Sequence, residues 1–254
     1  MFDLIEQYQA GVFISSPPLE PNSENIAKLM ELYGSKGLIP TTVNEFQLQL
    51  TIQPAPVSPI SPRPRMQVQM ITPDRAWTIA FESHRIMVTR ANVVGNEMPT
   101  QEDFVATAAN YLTAALDKFH YQGTRCVCAM RGLLPHLEEE RIQEIRNCLF
   151  RLPKYFSDKP TVEWTTRFVA RPTVTISDHE EVLNVILDMN RIKGELNLGG
   201  NVEPIDRFQV ALDINTFQEN MTPRFEPPQI HPFLTMASDI AKVLLSQMQE
   251  DLHV

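Results

Sequence analysis

Two amphipathic helices, each closing a run of short strands, constrain the chain most. Pro99-Thr100-Gln101-Glu102-Asp103 opens the first, with Thr100 as the cap and Asp103 where a capping-box acid belongs. Phe104, Ala108, Tyr111, Leu112, Ala115 and Phe119 then form one apolar stripe, so a helix is predicted over 100–119. The second is predicted over 231–248, with Phe233, Met236, Ile240, Val243 and Leu244 on one face. A helix with a single apolar face must bury it, and the strands before each helix supply the surface.

Those strands are legible from alternation and turn chemistry. Residues 8–15 read as a first strand, and a helix capped by Asn22 or Ser23 follows, ending at Tyr33 before Gly34. In the run 44–52, Phe46, Leu48, Leu50 and Ile52 alternate with polar residues, the signature of a strand with one wet face. Residues 53–64 carry five prolines and no glycine, an extended excursion that serves either as a stiff connection or as a docking ligand. Strands are predicted at 66–71, 77–82 and 85–90, with turns at 72–74 and 83–84.

The second half restarts after Gly123. Residues 124–131 read as a strand and 137–150 as a helix with Ile142, Ile145 and Leu149 inward. Glu138, Glu139 and Glu140 fall in its first turn, where acids complement the helix dipole. Further strands are expected at 161–171, within 173–188 and at 206–214, and 194–203 reads as a loop or hairpin. Residues 1–120 thus read β-α-β-β-β-β-α and residues 121–254 read β-α-β-β-(β)-β-α. The fold class is α+β: duplicated β-α-β(3-4)-α units form a curved antiparallel sheet with helices on one face, and the two halves pack as one unit. By fold analogy this is a TATA-binding-protein-like or gyrase-inhibitor-like arrangement, which carries no function with it.

The net charge of -9 divides evenly: residues 1–120 hold 8 Lys+Arg against 12 Asp+Glu, and residues 121–254 hold 14 against 19. With neither half basic, nucleic acid is disfavoured as a partner. Three cysteines are too few for a disulfide framework. Cys126 and Cys128 face one side of a strand as buried thiols, and with Cys148 they fall short of a zinc set, so no metal is expected. The N-terminal residues lack a signal-peptide n-region and no apolar run approaches a membrane span, which predicts a cytoplasmic protein with no membrane association.

Catalytic signatures are missing from the sequence. The histidines 84, 120, 136, 179, 231 and 253 form no ligand spacing, and His231 before Pro232 suits a structural hydrogen bond better than base catalysis. Asp188 and Asp213 lie in strands at unknown separation. The glycines fit no phosphate loop and no nucleophile elbow, so no cofactor is expected and an enzyme is disfavoured.

Several segments together resemble a sporadically distributed prokaryotic family of about this length without an assigned activity. They are Leu38-Ile39-Pro40, Trp77–Phe81 with His84–Val88, Glu102-Asp103-Phe104, Met130-Arg131-Gly132-Leu133, and Ala211–Ile214 before a helix led by His231. The chain departs from the family pattern at 131–134, where Arg-Gly-Leu-Leu replaces an Arg-Tyr-Ile-Asn-like run. The resemblance implies no enzymatic activity and a mobile-element or phage-defence setting.

The arginines give the functional expectation. Arg63, Arg65, Arg75, Arg85 and Arg90 lie on or beside the first-half strands. On the strand at 161–171, Val162, Trp164, Thr166, Phe168 and Ala170 make the core face, which turns Arg167 and Arg171 to the open side. Arg125 and Arg131 share a face by the same parity. The four arginines 125, 131, 167 and 171 are the expected partner-binding residues, against the plainer reading of a solvated sheet face. The function expected is a protein-interaction scaffold or accessory subunit that binds another protein, encoded beside it, with self-association open. The alternative is a small-molecule or nucleotide sensor using a cleft between the halves.

Overall fold

The computed structural model describes residues 2–45, 65–93, 95–151, 153–157, 159, 163–198 and 201–252, and of residues 45, 65, 157, 196–198 and 201–203 the backbone alone. The elements run β1 (Leu4–Ile14), α1 (Ser23–Tyr33), β2 (Ile39–Glu45), β3 (Arg65–Ile71), β4 (Trp77–Phe81), β5 (Arg85–Ala91), α2 (Gln101–Phe119), β6 (Gly123–Leu133), α3 (Glu139–Leu149), α4 (Lys154–Ser157), β7 (Thr165–Ala170), β8 (Thr173–Ile176), β9 (His179–Leu198), β10 (Asn201–Thr216) and α5 (Pro227–Leu252). The strands form one open antiparallel sheet in the order β2-β3-β4-β5-β1-β6-β10-β9-β7. Strand β8 lies beyond the end of β7, along the same edge of β9. The fold is α+β.

Alternation decides which side of the sheet is core. On β1, Tyr8, Ala10, Val12 and Ile14 are buried under helices, and their cross-strand neighbours Ile86, Val88, Cys126, Cys128 and Met130 join them. Helix α2 lays Phe104, Ala108, Leu112 and Ala115 on this face, and α5 adds Phe233, Ala237 and Ala241. The two helices pack against each other on one side of the sheet. The buried face of α5 is not the expected stripe: it runs through Phe233, Leu234, Ala237, Ser238 and Ala241, while Met236, Ile240 and Leu244 are half-buried and Val243 is 56% exposed. Each fully buried Leu or Phe contributes about 1.5–3 kcal/mol, which is why the stripes outweigh other local preferences. A second cluster sits under α3 and the end of α5, around Ile142, Ile145, Trp164, Phe208 and Met248. There Arg191 of β9, its side chain 1% exposed, joins Glu139 of α3 at 2.6 Å and Asp206 of β10 at 2.7 Å.

The caps follow the sequence. The Asn22 side chain accepts from the Asn25 N–H, and Thr100 accepts from the Asp103 N–H at 3.1 Å. Gly34 does not end α1 in a left-handed cap: it continues into a 3-10 turn over Gly34–Lys36, and Gly37, at φ 78°, makes the reversal. Helix α5 starts at Pro227, ahead of the expected His231, and holds Pro232 within its first turns, where its ring removes a single hydrogen bond. His231 lies exposed on it. Gly194 sits inside β9, because the β9–β10 hairpin stays paired from Leu183 and Thr216 out to Leu198 and Asn201. Most of the strand expected at 44–52 and the proline-rich 53–64 lie outside the described residues. The strand expected at 161–171 spans Thr165–Ala170, and Val162 also lies outside the described residues. Phe168 and Ala170, expected in the core, are exposed, Phe168 at 49%. Strand β7 is the sheet's last strand, and the helix layer does not extend over its far end. Among the described residues, no helix is long and apolar enough to cross a membrane.

Candidate functional site

Opposite the helices, the sheet shows a face made of the other half of each alternation. Register fixes its rows. One runs Thr78–Thr89–Gln9–Ala129–Asp213–Ile186–Val169, and the next runs Ala80–Met87–Gly11–Val127–Asn215–Asn184. Gly11 is required in the second: a Cβ there would meet the Met87 sulfur at 2.2 Å and the Ile86 carbonyl at 2.8 Å. The face mixes polar and apolar side chains: the second row is buried throughout, while in the first Thr78, Thr89, Gln9, Ala129 and Asp213 are half-buried.

At one end the rows become a ladder of cations and aromatics. Arg85, Phe13 and Arg125 lie opposite one another on β5, β1 and β6. The Arg85 and Arg125 guanidinium carbons lie 5.7 and 4.7 Å from the Phe13 ring centroid. Just past β10, the Phe217 ring carries Arg171 at 4.9 Å. A guanidinium stacked on a ring keeps its N–H edge available for carboxylate or phosphate.

Two buried amides tie the ladder together. Arg125 donates from Nη2 to the Asn215 carbonyl oxygen at 2.8 Å, and the Asn184 amide donates to the same oxygen at 3.1 Å. Asn184 in turn accepts from Arg171 Nε at 3.1 Å, while Asn215 donates to Asp213 at 2.8 Å. Asn215 is 1% exposed and Asn184 6%. Partial burial pushes the Arg125 pKa down, opposed by Asp213 and reinforced by Arg85. Its Nε–H is buried without a partner among the described residues.

The other two expected arginines lie elsewhere on the same face. Arg131 pairs with Glu6 at 3.0 Å beside a depression of about 210 Å³, floored by Ala129 and Ala211 and rimmed by Gln7, Gln9 and Asp213. Arg167, on the edge strand, pairs with Asp188 at 2.6 Å. The structure therefore joins Arg125 and Arg171 through the asparagines and leaves Arg131 and Arg167 in separate ion pairs. Asp188 and Asp213 act as partners to this polar layer. Cys126 and Cys128 are buried on the helix side, where desolvation pushes the Cys128 thiol up to about 12 and the Cys126 thiol up as well; Cys148 is exposed.

No protein-family model matches the chain, and a search of curated proteins finds no match either.

Sequence reasoning picked out Arg125 and Arg171 but missed Phe13, Phe217, Asn184 and Asn215. Phe13 was open to the parity argument, because it alternates with the buried Ala10, Val12 and Ile14. The asparagines carried no such signal, since their pairing depends on the register between distant strands.

Proposed function

We propose that this chain is a protein-binding module whose open sheet face receives an acidic, extended segment of another protein. The observation that carries this reading is the Arg85–Phe13–Arg125 ladder with Arg171 on Phe217. Arg125 and Arg171 are fixed by rings and amides, and Arg85 by the Phe13 ring and the Glu82 carboxylate at 2.5 Å, before any ligand arrives, which lowers the ordering cost of binding. Arg171 has an asparagine rather than an acid as its hydrogen-bond partner, which suits it to recruit an outside carboxylate. The arginines 131 and 167 extend the same face, each with its own acid to exchange. A small ligand would instead use the cleft of about 680 Å³ between the halves, lined by Asp3 and Leu4 from the first and by His136, Lys193, Glu195 and Arg207 from the second.

We further propose that the two halves are a duplicated pair of β-α-β units. Apart from the four-residue α4, the order of α-helices and strands repeats from β1–α2 to β6–α5, and β1 pairs with β6 antiparallel at the junction. A reducing compartment such as the cytoplasm fits the three free thiols.

The test is affinity capture from the native host with wild-type chain and an Arg85→Ala, Arg171→Ala double variant, with folding checked by circular dichroism. Truncating a central interface arginine typically costs ~1–2 kcal/mol or more. Proteins lost from the double variant, and shed at high salt, are the expected result. Capture indifferent to both substitutions would place the interface off this face. Capture abolished by nuclease would assign the ladder to nucleic acid instead.

A further inference from the structure

The β7 edge has a property that the open face does not share: its outer backbone, with no strand paired to it among the described residues, and its side chains are complementary to themselves. We propose that two copies of this chain pair antiparallel through β7, about a two-fold axis at Phe168, so that two sheets become one.

The hydrogen-bond parity comes first. Arg191 N–H donates to the Trp164 carbonyl at 3.2 Å, and Leu183 N–H donates to the Pro172 carbonyl at 2.9 Å. Even-numbered residues along this edge therefore bond inward to β9. The N–H and C=O groups of residues 165, 167, 169 and 171 point outward. Pro172 is even, so its missing N–H takes nothing from the free edge. A proline normally protects an edge strand; this one does not.

Charge together with the exposed Phe168 sets the axis position. Centred on Arg167, the pairing sets Arg167 opposite Arg167 of the second copy. Centred on Val169, it sets Arg167 opposite Arg171 of the second copy. Centred on Phe168, it sets Arg167 opposite Val169 and Thr165 opposite Arg171, with no like charges facing. That centre also matches outward-bonding residues with outward-bonding residues and leaves 168 against 168 as a close, non-hydrogen-bonded pair. Phe168 and Val169, 49% and 51% exposed, gain cover together, one on each face of the joined sheet.

The test uses the full chain in a Cys148→Ser background, which removes the exposed thiol. Light scattering across concentration is expected to show a dimer. Phe168→Cys is expected to cross-link it when diamide takes two electrons and two protons from the facing thiols to form the disulfide. Val169→Lys places a second cation opposite each Arg167 and is expected to weaken dimerisation roughly fivefold to thirtyfold, whereas Val169→Glu tightens it. A chain that stays monomeric at about 100 µM, well above the micromolar range of a specific contact, overturns the proposal. So does a dimer that fails to cross-link at 168 or is indifferent to charge at 169.

Discussion

Asn215 holds the open face together at the scale of single residues. Its oxygen takes two donors, from Arg125 and Asn184, and its nitrogen gives one to Asp213, all at 1% exposure. Asn215→Ala strands those groups, so urea denaturation should show a loss of about 1–3 kcal/mol. Asn215→Asp keeps an acceptor for Arg125 and should lose less. Of this site, the arginine parity was readable in the sequence: Arg125 and Arg171 do reach the open side. What was unreadable is what they touch. Asn184 and Asn215 are 31 positions apart and meet through the β9–β10 register. No local pattern encodes that register.

At the scale of elements, the helix N-caps and the α2 stripe were the most legible features. Thr100 both accepts the Asp103 N–H at 3.1 Å and donates to the Asp103 carboxylate at 2.8 Å. Thr100→Ala should therefore destabilise the protein by about 1 kcal/mol, read from a lower denaturation midpoint at unchanged slope. Strand existence was also legible: β3, β4, β5 and β6 appear within a few residues of their expected bounds. Burial along β7 was not. Its alternation is regular, but alternation says which residues share a face, not whether a helix covers that face. Trp164 and Thr166 are buried, while Phe168 emerges beyond the helix layer. The same limit explains α5, whose start is set by Pro227 and the bridge from Gly123 to Phe225 rather than by its own stripe.

For the whole molecule, the Arg191 cluster joins α3 to the β9–β10 hairpin and makes stability acid-sensitive. Arg191 holds the Asp206 and Glu139 carboxyls below their ordinary values of 3.8 and 4.5. Their contribution is full above those values and is lost as pH falls through the lower folded-state values. Thermal melts should fall on acidification below about pH 4.5, the usual carboxylate range. Arg191→Met should lower stability at pH 7 by about 2 kcal/mol and flatten this part of the acid dependence. Strand β1 has a consequence of another kind. It lies in the middle of the sheet, between β5 and β6, yet is made before either. On a ribosome adding about 5–20 residues per second, β1 waits roughly 5–20 s for its second neighbour to be synthesised. During that interval Tyr8, Val12 and Ile14 have no finished core to enter. A nascent chain of this kind depends on the hands that hold it, so chaperone supply rather than native stability should set its yield.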